Sequence, residues 1–288
     1  MINKLIIFTG FETSFFSFKG YYRLNSIISY FVDKKKIKKI KLNSDTYFNF
    51  IFKDPYYNRL IYPKFKYEPE IEFILRKLKK LNYLFIDVGA NFGYWSLKAS
   101  SKEFNKKKVI AIEPLRSNFN FLKKNLLDNN NRFEILNIGA GEKKKYSKIF
   151  FSGKLSNAGA SINKNSETDL INSEIIKIDT IDNILLKKKD KRFVIKLDVE
   201  GNEIKALNGA RNTLKKDCLI IYEDHGKDKL HLNSKYLLKE KFSLYFFNEK
   251  KIYKIKKINE LDYIKKLKHG YNFLATKSSF FKKKIQNL

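Results

Sequence analysis

Glycine, proline and cysteine are scarce in this chain. Its 288 residues include 12 glycines, 4 prolines and one cysteine. So few glycines and prolines argue against a long flexible linker between domains, and a single cysteine excludes an internal disulfide. Cys218 lies in an apolar run with the pattern of a strand, and we therefore interpret it as a small buried side chain and not as a reactive thiol.

Long apolar runs are also missing. An apolar stretch near the amino terminus, residues 5–18, is interrupted by Gly10, Glu12, Thr13 and Ser14. The stretch is too short to cross a membrane, and it lacks the small-residue cleavage site of a secretory signal. We therefore expect a cytoplasmic protein.

Acidic residues are half as numerous as basic ones. The chain has 30 acidic and 60 basic residues, which gives a formal net charge of +30. This excess favours an anionic partner, such as nucleic acid or a phospholipid surface. Only seven of the basic residues are arginine, and residues with AT-rich codons are abundant throughout, so genome composition is an alternative source of the charge. Because nucleic-acid recognition relies on arginine forks, nucleic acid is not the favoured partner.

The chain divides into three parts by its sequence pattern. Residues 1–66 are aromatic and basic and contain no catalytic motif. Residues 67–277 carry alternating strand-like and helix-like segments together with every chemical motif, and residues 278–288 form a basic tail. We therefore predict one central domain with an amino-terminal extension and a carboxyl-terminal tail. The sequence does not indicate an oligomeric state.

The amino-terminal extension is predicted to hold a short helix at 22–31 and strands at 37–42 and 46–52. Residues 34–41 are nearly all lysine. Lysines protect the edge of a sheet from unwanted pairing, and this is the favoured interpretation. A weak peripheral membrane contact through the helix and the lysine run is the alternative.

The central domain reads as alternating helices and strands. A helix is predicted at 68–80, with Ile71, Ile74, Leu75 and Leu78 at core spacing. Buried strands are predicted at 83–88, 108–112, 133–138, 193–197 and 218–222, and helices connect them. Shorter elements are predicted at 148–152, 174–178 and 180–186, and an antiparallel pair at 242–247 and 271–276. Buried strands joined by helices indicate an α/β fold with a mostly parallel sheet covered on both faces.

The strongest chemical signal is the segment Asp87-Val88-Gly89-Ala90-Asn91-Phe92-Gly93, which follows a predicted strand and opens a predicted helix. Gly89 permits a tight turn that a ligand can approach closely, and the amides of such a turn bind nucleotide-like ligands. The spacing differs from the G-x-G-x-x-G of dinucleotide sites. The carboxylate of Asp87 suits the positively charged ammonium and sulfonium groups of S-adenosylmethionine and would repel a pyrophosphate. This pattern is typical of methyltransferases.

A second acid ends the next predicted strand. Glu113 follows the apolar run 109–112. A carboxylate at this position can accept hydrogen bonds from both hydroxyls of a ribose. Nicotinamide-dependent dehydrogenases share this feature, so the interpretation depends on the loop after Asp87.

Further acids follow the strand at 193–197. Asp198 and Glu200 are placed where they can bind a substrate hydroxyl, act as a base or hold a metal. Glu203 is equally well explained as an acid that stabilises a helix amino terminus. The strand at 218–222 is followed by His225, which is a candidate base at neutral pH or a surface histidine.

Together these residues resemble the FkbM-type methyltransferase family. The resemblance runs from about residue 67 to residue 223. It is carried by FIDVGANFGYWS at 85–96, AIEP at 111–114, NIGAGE at 137–142, IDTIDNIL at 178–185 and IKLDVEGNEIKALNGA at 195–210. The last two blocks together are the specific ones.

The resemblance implies a Rossmann-like class I methyltransferase fold, with a seven-stranded, mostly parallel sheet that contains one antiparallel strand. It implies S-adenosyl-L-methionine as the cofactor, bound by Asp87, Gly89, Ala90, Asn91, Gly93 and Glu113. Asn137 would lie near the adenine, and Asp198 and Glu200 would border the methyl acceptor. The family is associated with O-methylation of sugars and other secondary metabolites, so a carbohydrate or other small-molecule acceptor is expected.

The sequence leaves alternatives open for the base, for a metal and for the function. A base would assist transfer to a hydroxyl, and Asp198 or His225 is the candidate. No metal is expected, although Asp198, Glu200 and Glu223 would allow a metal-dependent variant. The basic charge motivates an RNA methyltransferase as the second hypothesis. A third hypothesis is a non-catalytic, membrane-associated protein that retains the fold.

Overall fold

The computed structural model describes residues 36–54, 56–62, 64–152, 159–162, 172–224, 228–266 and 271–287. The helix expected at 22–31, the first two lysines of the 34–41 run and the candidate base His225 lie outside these ranges. No helix within the ranges is both long and apolar enough to cross a membrane.

Strands and helices alternate along the central domain as the sequence predicts. The strands are β1 (Ile37–Asn43), β2 (Thr46–Ile51), β3 (Leu84–Val88), β4 (Lys108–Ile112), β5 (Glu134–Leu136), β6 (Gly139–Ala140), β7 (Lys145–Phe151), β8 (Asn172–Asp179), β9 (Arg192–Leu197), β10 (Asp217–Glu223), β11 (Ser243–Phe247), β12 (Ile252–Lys254) and β13 (Asn272–Thr276). The helices are α1 (Pro69–Leu78), α2 (Tyr94–Ala99), α3 (Arg116–Leu127), α4 (Ile181–Ile184), α5 (Glu203–Asn208), α6 (Leu232–Lys239), α7 (Glu260–Lys266) and α8 (Ser279–Gln286). The sequence did not predict β6, β12, α6, α7 or α8.

The largest sheet of the described residues has eight strands in the order β12-β11-β13-β10-β9-β3-β4-β5. The strands from β10 to β5 in that order are mutually parallel. β13 is antiparallel to both of its neighbours, β10 and β11. The expected seven-stranded sheet with one antiparallel strand is therefore confirmed, and β12 extends it by a short antiparallel edge on β11.

Helices cover both faces of this sheet, because its central strands are apolar on both sides. On one face, Phe85 of β3 belongs to a core shared with α1, α2, α3 and α8. On the other face, Ile86 belongs to a core shared with α4, α5, α6 and α7. The predicted core positions of α1 are all fully buried: Ile71, Ile74, Leu75 and Leu78.

Both flanks of the central domain contribute to its core. Phe48 and Phe50 of β2 are fully buried and pack in the same cluster as Trp95 and Leu126. At the other end of the chain, residues 279–286 form α8, and its Phe281 is fully buried in that cluster. Residues 46–51 and 279–286 are therefore part of the folded domain and not detached from it.

A separate three-stranded sheet interrupts the alternation between β5 and β9. Its order is β6-β8-β7, with β7 antiparallel and β6 parallel to β8. Ile149, Ile176 and Ile178 form its apolar face, together with Leu115 from the chain after β4. This small sheet is thereby held against the carboxyl end of β4, where the functional site lies.

Candidate active site

A cleft of about 610 Å³ opens at the carboxyl ends of β3, β4, β9 and β10. Its floor is the loop after β3 and the turn after β4. The segment before α1 forms one wall, and the small sheet and the turn after β9 form the other. The topology thus brings together the acids that the sequence places at separate strand ends.

Two glycines shape the loop after β3. Gly89 has φ +81°, and a Cβ on it would lie 1.7 Å from the carbonyl oxygen of Asp198. Gly93 has φ +86°, and a Cβ on it would lie 2.5 Å from Cδ1 of Leu122 in α3. The positive φ favours glycine at both positions, and at Gly89 the contact with the Asp198 backbone also excludes a side chain. Asn91 between them also has a positive φ, of 51°, which asparagine tolerates better than most residues.

Asp87 lies beneath this loop and is almost completely buried. Its Oδ2 accepts a hydrogen bond of 2.7 Å from the Ser96 hydroxyl. Its Oδ1 is buried without a hydrogen-bond partner among the described residues, although Asp87 lines the cleft. Burial raises the pKa of Asp87, and the Lys196 ammonium partly opposes that rise. An unpartnered buried carboxylate oxygen is costly unless a ligand satisfies it.

Glu113 at the tip of β4 connects this strand to the loop. Its Oε2 accepts a hydrogen bond of 2.8 Å from the amide of Asn91, and its Oε1 accepts one of 3.0 Å from the amide of Leu115. Burial raises the pKa of Glu113 to about 7. Because each carboxylate oxygen can accept more than one hydrogen bond, Glu113 can still bind hydroxyl groups of a ligand in the cleft.

Asn137 lies beside the cleft and does not line it. Its side-chain amide donates hydrogen bonds of 2.9 Å to the carbonyl oxygens of both Glu113 and Pro114. The cleft wall in this region comes from Gly139 and Ala140. Asn137 therefore stabilises the turn that carries Glu113, and a contact between Asn137 and adenine stays a prediction.

Lys196 is a buried cation that the sequence reasoning missed. It is 5% exposed and donates a hydrogen bond of 3.0 Å to Oδ2 of Asp198. It also lies directly opposite Asp87 in the pairing of β9 with β3. Burial alone would lower the pKa of Lys196, but the carboxylates of Asp198, Glu68 and Asp87 raise it. The sequence signal that could have identified it is a lysine inside the otherwise apolar run 193–197.

Glu68 is a second missed residue, from the segment before α1. Its Oε2 accepts a hydrogen bond of 2.5 Å from the indole nitrogen of Trp95. Burial raises its pKa to about 6, an effect that the Lys196 ammonium partly offsets. Its backbone has φ 42°, an unusual conformation that places its side chain in the cleft instead of on the helix surface.

The remaining acids, in the turn after β9 and at the end of β10, have different environments. Glu203 accepts hydrogen bonds from the amides of Val199 and Gly201, at 3.2 and 3.1 Å, so it closes the turn and has the structural role considered for it. Asp198 and Glu200 line the cleft, as does Glu223 at the end of β10. Partial burial and the carboxylates of Asp198 and Glu200 raise the pKa of Glu223 to about 9.

A buried polar network anchors the chain immediately after β10. Asp224 is fully buried, and its carboxylate accepts hydrogen bonds from Lys265 of α7 and Ser234 of α6. Nδ1 of His231 lies 3.0 Å from the Lys265 ammonium. This network fixes the strand end that presents Glu223 to the cleft.

The polar groups that line the cleft include several unpaired hydrogen-bond acceptors. The described residues contain no group of three or more His, Cys, Asp or Glu side chains arranged to hold a metal. Asn91 and Asn202 line the cleft and each have a buried side-chain oxygen without a partner there, as Asp87 does. Unsatisfied acceptors and carboxylates together favour a ligand that carries positive charge and hydrogen-bond donors.

Comparisons with known proteins identify a family for the chain. Residues 87–250 match the family model described as the methyltransferase FkbM domain. No curated protein shows significant similarity to the chain. Among solved structures, the FkbM methyltransferase from Methylobacillus flagellatus KT is 19% identical, with a TM-score of 0.43, over 67% of this chain and 43% of that one. The chain thus matches less than half of that protein.

Two further solved structures match more of their own length. The precorrin-6y C5,15-methyltransferase from Geobacter metallireducens GS-15 is 11% identical, with a TM-score of 0.42, over 76% of this chain and 93% of that one. The N-terminal domain of human METTL16 in complex with SAH is 12% identical, with a TM-score of 0.39, over 84% of this chain and 74% of that one.

Proposed function

The chain belongs to the FkbM methyltransferase family, and from that premise we propose that it transfers a methyl group from S-adenosylmethionine to a hydroxyl of a sugar, a polysaccharide precursor or another small metabolite. The observation that carries this proposal is the cleft in which the glycine loop after β3, Asp87 and Glu113 meet the acids at the ends of β9 and β10.

The cofactor supplies an activated methyl group on a positively charged sulfur. The loop from Gly89 to Gly93 lines the cleft, and the missing side chain at Gly89 lets it pack directly against the backbone of Asp198. The free Oδ1 of Asp87 is suited to the ammonium group, and Glu113 is suited to the ribose hydroxyls. These assignments rest on charge and on hydrogen-bonding capacity.

The acceptor side of the cleft favours a polyhydroxylated molecule over a nucleic acid. Asp198, Glu200 and Glu223 line this side together with Glu68. Carboxyl groups form hydrogen bonds with sugar hydroxyls whether or not they are protonated, whereas the carboxylate of Asp198 would repel the phosphates of RNA. The acidic walls therefore count against RNA as the acceptor, even though the whole chain is basic.

Asp198 is our candidate for the base. Its side chain is 33% exposed, and Lys196 holds one of its carboxylate oxygens at 3.0 Å. An acceptor hydroxyl would pass its proton to Asp198 as the oxygen bonds to the methyl carbon and the carbon–sulfur bond breaks. Alignment of donor and acceptor can contribute roughly 7–11 kcal/mol, and a base contributes about 10²–10⁴-fold.

Calorimetry with S-adenosylmethionine and with S-adenosylhomocysteine tests the cofactor site. We expect Asp87→Ala to weaken binding of S-adenosylmethionine by about 10- to 100-fold, since a charge-assisted hydrogen bond contributes roughly 1.5–3 kcal/mol. The matched control is Asp190→Ala, at the opposite end of the sheet. Absence of binding to the folded parent protein, or equal binding by parent and Asp87→Ala, would remove the basis of the proposal.

Transfer of a labelled methyl group to a panel of saccharides and to tRNA tests the acceptor class. We expect label in the carbohydrate fraction, and Asp198→Asn should lower turnover by about 10²–10⁴-fold with little change in cofactor affinity. Full activity of Asp198→Asn would assign the base elsewhere. Label in tRNA, with steep salt dependence, would favour the RNA hypothesis.

A further inference from the structure

The amino ends of the parallel strands collect basic residues at the edge of the sheet opposite the cleft. Parallel strands place all their amino ends at one edge, and here Lys108 opens β4 and Arg192 opens β9. Lys216 immediately precedes β10. The lysine-rich loop 187–191 leads into β9 at the same edge. The molecule therefore has an acidic cleft at one end and a basic surface at the other.

Lys108, Arg192 and the loop 187–191 line a depression of about 520 Å³, which we call the basic groove. Its cationic residues are Lys108, Lys187, Lys188, Lys189, Lys191 and Arg192. A second depression shares the residues 188–191 and adds Lys216, so the positive surface continues across the edge of β10.

Nearby acids neutralise only part of the basic groove. Lys188 pairs with Glu134, Lys108 lies 3.4 Å from Asp190, and Arg192 lies 3.6 Å from Asp217. Arg192 also stacks over the ring of Phe280, 4.1 Å from its centroid. In contrast, Lys187, Lys189 and Lys191 are exposed and form no ion pair with the described residues. The unpaired charges of the basic groove are therefore lysines, and its one arginine stacks on Phe280 beside Asp217.

An exposed apolar side chain adjoins these lysines. Leu186 is 78% exposed and precedes Lys187 directly. Lysines beside an exposed leucine form the combination that binds the surface of an anionic bilayer, where the charges meet the headgroups and the apolar side chain enters the interface. Nucleic-acid recognition relies instead on free arginine forks.

We propose that the basic groove docks the protein on a membrane surface that contains anionic phospholipid. Leu186 enters the headgroup layer, and the lysines contact the lipid phosphates and carboxylates. Because the groove and the cleft lie at opposite ends of the parallel strands, the docked protein keeps its cleft open to the aqueous phase. The proposal does not depend on the nature of the methyl acceptor.

Flotation of the full chain with vesicles tests this surface. The vesicles are made of phosphatidylcholine, with or without phosphatidylserine. We expect the parent protein to float only with the anionic vesicles. The variant Lys187→Glu/Lys189→Glu/Lys191→Glu should bind them about 100-fold more weakly, since each lysine near an anionic surface contributes about 1 kcal/mol. Leu186→Ser should weaken binding by up to about tenfold, consistent with partial loss of one buried leucine.

A variant of equal charge provides the control. Lys143, Lys144 and Lys145 are exposed at the start of β7, and Lys143→Glu/Lys144→Glu/Lys145→Glu changes the net charge by the same amount. Equal loss in both variants, equal flotation with neutral vesicles, or no flotation of the parent would overturn the proposal. Release of the parent from vesicles by single-stranded RNA that the groove variant no longer binds would also overturn it, in favour of nucleic acid. Thermal unfolding and cofactor calorimetry verify that both variants are folded.

Discussion

At the scale of single residues, burial of Glu113 opposes the ionised state of its carboxyl group. The side chain is 5% exposed, and two backbone amides hold its carboxylate oxygens. Even so, burial raises its pKa to about 7 from an ordinary value of 4.5. The ionised form needed for charged hydrogen bonds is therefore destabilised in the folded protein before any ligand binds.

The pKa of Glu113 predicts a pH dependence of stability. Between pH 4.5 and about 7 the folded protein retains a proton that the unfolded chain has released, so the free energy of unfolding falls as the pH rises through this window. A shift of this size corresponds to roughly 3 kcal/mol. Glu68 and Glu223 act in the same direction, because burial raises their pKa values to about 6 and about 9.

Urea unfolding across this pH range measures the effect. Glu113→Gln should remove the contribution of Glu113 to this pH dependence. The free energy of unfolding of the variant should therefore fall less than that of the parent as the pH rises. Glu240→Gln, at an exposed position, should follow the parent. Parallel curves for Glu113→Gln and the parent would show that Glu113 is ionised throughout.

The residue scale also shows what the sequence reveals and what it hides. The sequence places Asp87, Gly89 and Glu113 at the ends of apolar strands, and the structure brings them into one cleft, because such ends meet at one edge of a parallel sheet. Lys196 and Glu68 were missed, since their importance depends on partners that are distant in sequence. Lys196 reads as an interruption of a strand until Asp87 is found opposite it.

At the scale of elements, Asn125 of α3 joins the amino-terminal hairpin to the cofactor loop. Its Oδ1 accepts hydrogen bonds from the backbone and side-chain nitrogens of Asn49 in β2, at 2.7 and 2.9 Å. Its Nδ2 donates to the carbonyl oxygens of Asn49 and of Phe92, at 3.0 and 2.9 Å. One buried amide therefore fixes β2 and the loop against the same helix.

Removal of this amide should be costly. Asn125→Ala leaves buried backbone groups of Asn49 and Phe92 without partners, and we expect a loss of about 2–4 kcal/mol in the free energy of unfolding. The exposed neighbour Lys123 provides Lys123→Ala as a control on the same helix, with little expected change. Chemical denaturation measures both variants. A loss below about 0.5 kcal/mol for Asn125→Ala would mean that water replaces the amide.

Element boundaries follow the strength of the local pattern. The helix at α1 and the strands β3, β4, β9 and β10 have long, regular apolar patterns, and they were predicted within two residues of their observed ends. β12 has three residues, of which two are exposed, so pairing with β11 and not local sequence forms it. α8 was read as a basic tail because its buried residues, Phe281 and Ile285, form a single narrow stripe beside three lysines.

At the scale of the whole molecule, charge is distributed unevenly. The chain carries a net charge of +30, yet carboxylates line the cleft and lysines line the opposite edge of the sheet. Like charges at one end repel each other and oppose folding. Salt screens this repulsion over a distance of about 8–10 Å at moderate ionic strength.

Stability should therefore rise with salt. We expect sodium chloride to raise the thermal midpoint by roughly 3–6 °C between low and moderate ionic strength, equivalent to about 1–2 kcal/mol. The variant Lys143→Glu/Lys144→Glu/Lys145→Glu, which has a lower net charge, should show a shallower increase. Calorimetric scans measure the midpoints, and a midpoint that falls with salt would indicate that attractive pairs outweigh the repulsion.

The carboxylates that line the cleft also affect how the by-product of the proposed reaction is exchanged for fresh cofactor. Methyl loss converts the sulfonium into an uncharged thioether, so the spent nucleoside leaves with one positive charge fewer than the fresh one. Walls that include Asp87 and Asp198 attract the charged form more strongly. If the proposed function holds, S-adenosylmethionine should therefore displace S-adenosylhomocysteine from the cleft more readily than the reverse.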